Sequence, residues 1–276
     1  MSTQFPLLLD EGVKEKRLQS TSFIDTHDMT DIHARMIEKV LAPVTIMDDG
    51  PTCNRSVLSC HWGGQVVDTC CSPKYGLVVL ALQWVPGYGP DDEFTIHGLW
   101  PDTCSGGRAP SRGCDRSRSS GQVGNILKRI NPDLHQQMKT FWPSYKGDDN
   151  WFWSHEWTKH GTCVSTLRPV CYGDSYRKFE DLEEYFKQVL YLREDYDIYG
   201  ALNLAGIFPG NWYNSESMRD ALQQFFGSKI MLNCNRDGQL SEVMLYFYVS
   251  GRDRYQITNA LGKGSCRGAV WYPKKS

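Results

Sequence analysis

The sequence predicts an α+β fold: a mainly antiparallel central sheet, flanked by helices and rich in disulfides. Three observations point to it. Strand-like and helix-like segments are mixed without regular βαβ alternation. Ten cysteines, an even number, show no C-x-x-C pair of the kind that structural zinc favours. A composition of 40% hydrophobic and 22% charged residues over 276 positions suits a globular chain able to bury a core.

The expected strands are 77–84, 94–99, 229–233, 243–249 and 269–272, each rich in Val, Ile, Tyr, Phe or Leu. Helical patterns run over 122–141, 153–160, 176–192 and 216–226, and Asn131-Pro132 breaks the first in two. The longest apolar run, 76–82, is far short of the ~18–20 residues of a membrane span. A net charge of −2 creates no strong field toward nucleic acid or membrane.

Charge and aromatic content divide the chain. Residues 1–49 carry 5 basic and 9 acidic groups, with no Cys or Trp; residues 50–276 carry 25 basic and 23 acidic groups and all nine Trp. The expectation is an acidic arm or propeptide-like extension over 1–49 and one domain over 50–276. Residues 28–41 have the spacing of a short amphipathic helix. Lys16-Arg17 is either a dibasic processing site or an ordinary exposed pair.

Five disulfides are expected, and hence an oxidising compartment; reduced thiols are the alternative. The Asn54-Arg55-Ser56 sequon marks Asn54 as a glycosylation candidate. Near the start, residues 5–9 are too short for the ~7–15-residue apolar region of a secretory signal. The expected address is the secretory pathway, extracellular or vacuolar, with an intracellular isoform as the alternative.

Two segments stand apart: FTIHGLWPDTC from Phe94 and WSHEWTKHGTC from Trp153. On a helix, with His155 at 0°, Lys159 falls at about 40°, Glu156 at about 100° and His160 at about 140°. Four ionisable groups therefore share one arc, and Trp153 and Trp157 are free to pack behind it. Gly161 is expected to end the helix and Cys163 to pin its end. Such a face serves solubility or chemistry. Zinc hydrolysis fits poorly, because its paired histidines stand at i and i+4 and here the second is at i+5. His97 is either an ordinary strand residue or part of a shaped rim with Gly98 and Pro101. Together the segments offer a base, an acid, a carboxylate and a cation. Displacement at phosphorus by an RNA 2′-hydroxyl needs that set.

The two segments resemble the catalytic signatures of the RNase T2 family of acid endoribonucleases, a resemblance covering roughly 50–276. The ten cysteines, with the Cys70-Cys71 doublet, resemble the fungal branch. The resemblance implies the bonds Cys53–Cys71, Cys60–Cys104, Cys70–Cys171, Cys114–Cys163 and Cys234–Cys266. It implies His160 as general base, His97 as general acid, Glu156 and Lys159 as stabilisers of the phosphorane, and His155 as a phosphate ligand. The expected products are a 2′,3′-cyclic phosphate and then a 3′-phosphate, with an optimum on the acid side of neutrality. Trp100 and Asp102 correspond to a first base site, and Gln83, Pro143 and Phe152 to a second. Arg108 stands where the fungal pattern usually has an aromatic. Arg108, Arg112, Arg116 and Arg118 form a basic run, either a hold on the RNA backbone or a solvated loop. The expected partner is single-stranded RNA, met by a monomer without metal, cofactor or membrane span. The rival is a non-catalytic binding, storage or signalling relative, against which stand both histidines, Glu156 and Lys159.

Overall fold

The computed structural model describes residues 53, 57–61, 63 and 67–276. The expected arm, its 28–41 helix, the Lys16-Arg17 pair and the Asn54 sequon lie outside them.

An apolar seven-residue segment, Leu77–Gln83, forms the central strand β1 and is buried on both faces. That is why its sequence shows no polar alternation. On one side it pairs with β2 (Thr95–Asp102), and on the other with β5 (Leu240–Ser250). The outer edge of β5 is shared by β4 (Met231–Cys234) and β6 (Arg254–Thr258), all pairings being antiparallel. A separate two-stranded sheet joins β3 (Asn211–Asn214) to β7 (Ala269–Tyr272).

β2 runs further than the expected 94–99, through Trp100, Pro101 and Asp102. It is an edge strand, and an edge tolerates the missing proline donor. Short β3 and β6 were not expected; each has polar or charged residues where a strand pattern wants alternation.

Six α-helices occur among the described residues: α1 (Val123–Ile130), α2 (Pro132–Phe141), α3 (Asp149–Lys159), α4 (Glu180–Asp195), α5 (Ile198–Leu204) and α6 (Ser215–Phe226). The expected break falls where Asn131 caps α2, its side chain accepting from the Leu134 N–H, with Pro132 in the first turn. α4 starts later than the expected 176, at Glu180, and α5 was not expected.

The main core lies between β1, β2 and β5 and the helices. Val78, Leu80 and Leu82 of β1 meet Trp142, Trp153, Trp157, Tyr185 and Phe186 there, all almost fully buried. No helix among the described residues is long and apolar enough to cross a membrane.

Five disulfides use all ten cysteines: Cys53–Cys71, Cys60–Cys104, Cys70–Cys171, Cys114–Cys163 and Cys234–Cys266. These are the five pairs that the resemblance implies. Cys114–Cys163 ties the loop after β2 to the chain just beyond α3.

Candidate active site

The candidate site forms where the end of α3 meets the middle of β2. α3 begins a turn earlier than the sequence pattern suggested. The Asp148 carboxylate caps it by accepting from the Trp151 N–H at 2.8 Å. One face is held by indoles: Trp153 Nε1 donates to the Trp142 carbonyl at 2.8 Å, and Trp157 Nε1 to the Arg118 carbonyl at 2.6 Å. Glu156 is buried beside them, while His155 is exposed and Lys159 half-buried.

The helix ends at Lys159, and His160 caps it, its N–H bonded to the Glu156 carbonyl at 2.9 Å. The helix thus ends just before Gly161, as expected, though Gly161 makes no left-handed turn. It opens a 3-10 turn, Gly161–Cys163, with ordinary negative φ. Its lack of a side chain matters for another reason: a Cβ there would strike the Trp157 ring.

β2 brings three groups to meet the helix. His97 Nδ1 donates to Glu242 Oε1 of β5 at 2.7 Å. The other Glu242 oxygen accepts from Asn233 Nδ2 at 3.1 Å, which holds the carboxylate in place. With Nδ1 committed, Nε2 is the His97 nitrogen left for a substrate. Trp100 Nε1 donates to Glu156 Oε2 at 3.0 Å. The Trp100 ring meets His97 edge-on at 4.9 Å between centroids and lies under His160 at 5.5 Å, tilted by 30°. Gly98 makes this approach possible, since a Cβ at that position would collide with the Glu156 carboxylate.

Electrostatics divide the histidines. Burial pulls His97 down, but the hydrogen bond to Glu242 and the charges of Glu156 and Glu242 outweigh it, and its pKa is raised above 6.5. Burial lowers His160, and Lys159, His155, His97 and Arg108 add cationic repulsion, which together bring it to about 3. Burial raises Glu156 to about 7 against the pull of His97, Trp100 and Lys159. His155 is lowered, first by burial and then by Lys159 and His97. At mildly acidic pH the arrangement holds a protonated imidazole, a neutral imidazole and a mostly protonated Glu156 carboxyl group around one space. Such a pair can give and take protons in a single displacement.

Of the expected base-site residues, Trp100 and Asp102 stand on β2, Gln83 on β1, Phe152 on α3 and Pro143 just after α2. Gln83 pairs with Thr95 and Glu242 across the sheet, and its buried carboxamide donates to the Ile96 carbonyl at 3.3 Å. Phe152 is buried with its ring 6.1 Å from His97, and Pro143 is half-buried. At the end of β2 the Asp102 backbone forms a β-bridge with that of Arg108, and burial lifts the Asp102 pKa to about 6 against a backbone hydrogen bond from Ala109 and the Arg108 charge.

The basic run does not act as a unit. Arg118 is not available to RNA. It is buried in an ion pair with Asp181 at 2.8 Å, donates to the Thr162 and Leu167 carbonyls, and packs over the Trp157 ring. Arg108, Arg112 and Arg116 are exposed. Among the described residues no group of three or more His, Cys, Asp or Glu is arranged to hold a metal ion.

A family model described as the ribonuclease T2 family matches residues 57–259. The chain belongs to the ribonuclease T2 family. As a T2-type ribonuclease it is similar to ribonuclease Rh of Rhizopus niveus, 50% identical over 87% of this chain and 100% of the relative. Ribonuclease T2 of Aspergillus oryzae is 36% identical over 82% of this chain and 85% of its own. Among solved structures, the T2 ribonuclease Actibind is 36% identical with a TM-score of 0.75, over 81% of this chain and 98% of that one. RNase NT in complex with 5′-AMP is 25% identical with a TM-score of 0.55, over 72% and 98%. The antiparallel sheet, flanking helices and five disulfides of this ribonuclease agree with those likenesses.

Sequence reasoning missed Glu242 and Asn233. Glu242 lies 145 positions from His97 and just before the expected strand 243–249. The available signal was a lone carboxylate beside a Val-, Tyr- and Phe-rich strand.

Proposed function

We propose that this endoribonuclease cuts single-stranded RNA by acid–base transphosphorylation without a metal ion. The observation that carries the reading is the opposite displacement of two imidazoles around Glu156. His160, held neutral, takes the proton from the 2′-hydroxyl. The 2′-oxygen attacks phosphorus, and His97, held protonated, gives its proton to the departing 5′-oxygen. Lys159 and Glu156 stabilise the charge on the phosphorane, and His155 binds a phosphate oxygen. The product is a 2′,3′-cyclic phosphate and a 5′-hydroxyl end. In the second step the roles reverse: His97 activates water, and His160 returns a proton to the 2′-oxygen, leaving a 3′-phosphate. Trp100 and Asp102 take one base, with Arg108 beside them, while Gln83, Pro143 and Phe152 take the other.

Digestion of a defined RNA with mapping of product ends tests the scheme. Cyclic-phosphate ends, formed equally well in a chelator, are expected. Ends bearing 5′-phosphate, or dependence on added zinc, would reject it.

We also propose that 50–276 is the catalytic unit and 1–49 a separable arm, a boundary supported by the family match beginning at residue 57. Removal of 1–49 is expected to leave cleavage intact. Ten paired cysteines support a secretory address, extracellular or vacuolar, with glycosylation at Asn54.

A further inference from the structure

A cleft of about 420 Å³ opens beside α3, with neither His97 nor Glu242 in its lining. Its size falls within the roughly 300–1,000 Å³ of small-ligand sites. Ser111, Arg112, Ser119, Trp151, His155 and Lys159 are among its lining residues, and no carboxylate is. Arg112 lines the cleft and makes no hydrogen bond or ion pair with a described residue, so no carboxylate there neutralises its charge.

The backbone that carries Arg112 is pinned next to the cleft. The neighbouring Gly113 has φ +77° and comes so close that a Cβ would strike the Thr158 carbonyl of α3. Next to it, the Cys114 N–H donates to Thr162 Oγ1 at 3.1 Å, and Cys114 is bonded to Cys163. The loop is thus locked onto the end of the catalytic helix.

Trp151 is 55% exposed, although an indole usually finds cover. One ring partner is His155, stacked at 5.4 Å between centroids and 17° between planes. An exposed indole and an unpaired arginine lining one cleft offer a stacking face and a phosphate ligand at once, the two elements of single-strand recognition. His155 and Lys159 belong both to this cleft and to the proposed phosphate site, so the two are continuous.

We infer that the cleft is an RNA subsite for a nucleotide beyond the two that flank the cut bond, with Arg112 on its phosphate and Trp151 against its base. The inference rests on the transphosphorylation reading and extends it to longer substrates.

Arg112→Ala and Trp151→Ala test it, each compared with wild type on a dinucleoside phosphate and on a single-stranded RNA twelve-mer. Both side chains are exposed, and a thermal melt checks that the variants fold. Each variant is expected to lose roughly 5-fold or more in kcat/KM on the twelve-mer, and less than about twofold on the dinucleoside phosphate. For Arg112→Ala, the salt dependence of twelve-mer binding should weaken by about 0.7 in log–log slope, one phosphate contact on a single strand. A 2′-O-methyl twelve-mer, which lacks the nucleophile, reads the cleft without any cleavage. Its Kd should rise by the same factor in each variant. An unchanged Kd, or equal losses on short and long substrates, overturns the subsite. Products with 5′-phosphate ends overturn the transphosphorylation reading and leave the binding result to judge the cleft.

Discussion

His97 and His160 are the same side chain in opposite company. His97 sits on a strand, with Glu242 on one nitrogen and Glu156 nearby, and its pKa is raised. His160 sits at the end of a helix among Lys159, His155 and Arg108, and its pKa falls to about 3. Both are partly buried, so burial does not separate them; the sign of the neighbouring charge does. A fold obtains an acid and a base from one residue type by choosing the companions of each.

Removing either imidazole breaks the comparison most severely. His97→Ala and His160→Ala are each expected to lower kcat by roughly 10²–10⁴, the usual worth of one acid–base group, on RNA at the optimum pH. Near-wild-type rates in either variant would end the assignment. Gly98→Ala comes next, because it separates the two sides without deleting a catalytic group. The added methyl meets the Glu156 carboxylate and Trp100. Such overpacking costs about 1–3 kcal/mol of stability, measurable by denaturant unfolding, with a fall in kcat of roughly tenfold or more as Glu156 is displaced.

Glu242→Gln sharpens the contrast by removing charge from the His97 side alone. The proton on His97 would be held less tightly, so the alkaline limb of the pH–kcat/KM profile should move to lower pH. A loss in kcat of about tenfold is expected from a poorly oriented acid. An unmoved limb would show that Glu242 only packs. The mildest test is the wild-type profile itself. The base must be unprotonated, and His160 titrates near pH 3; the acid must be protonated, and His97 titrates above 6.5. Activity should therefore rise from about pH 3 and fall as the pH climbs through the raised His97 pKa, with a maximum on the acid side of neutrality. A maximum above neutrality would contradict the charge assignment.

Much of this was legible in the sequence because it is local. The α3 segment concentrates His155, Glu156, Lys159 and His160 within one and a half helical turns, and helical geometry alone puts them close together. The apolar run of β1 and the Asn131-Pro132 break announce themselves in the same way. The unexpected strands and helix are short and weakly patterned. Asn211–Asn214 becomes a strand because Ala269–Tyr272 is there to pair with it. Arg118 and Arg112 look alike in the sequence, six positions apart. Only packing reveals that one neutralises the buried Asp181 and the other lines an open cleft.

By itself the sequence determined which chemistry the chain carries. Residue types and their short-range spacing specify the groups on α3, the strand-borne His97 and an even set of cysteines. Tertiary structure alone decided the protonation state each group holds. A pKa depends on charges within several ångströms and on exclusion of water, and those neighbours come from far along the chain. Glu242 reaches His97 across the sheet, Trp100 reaches Glu156 from β2, and Gly98 leaves the space that lets them meet.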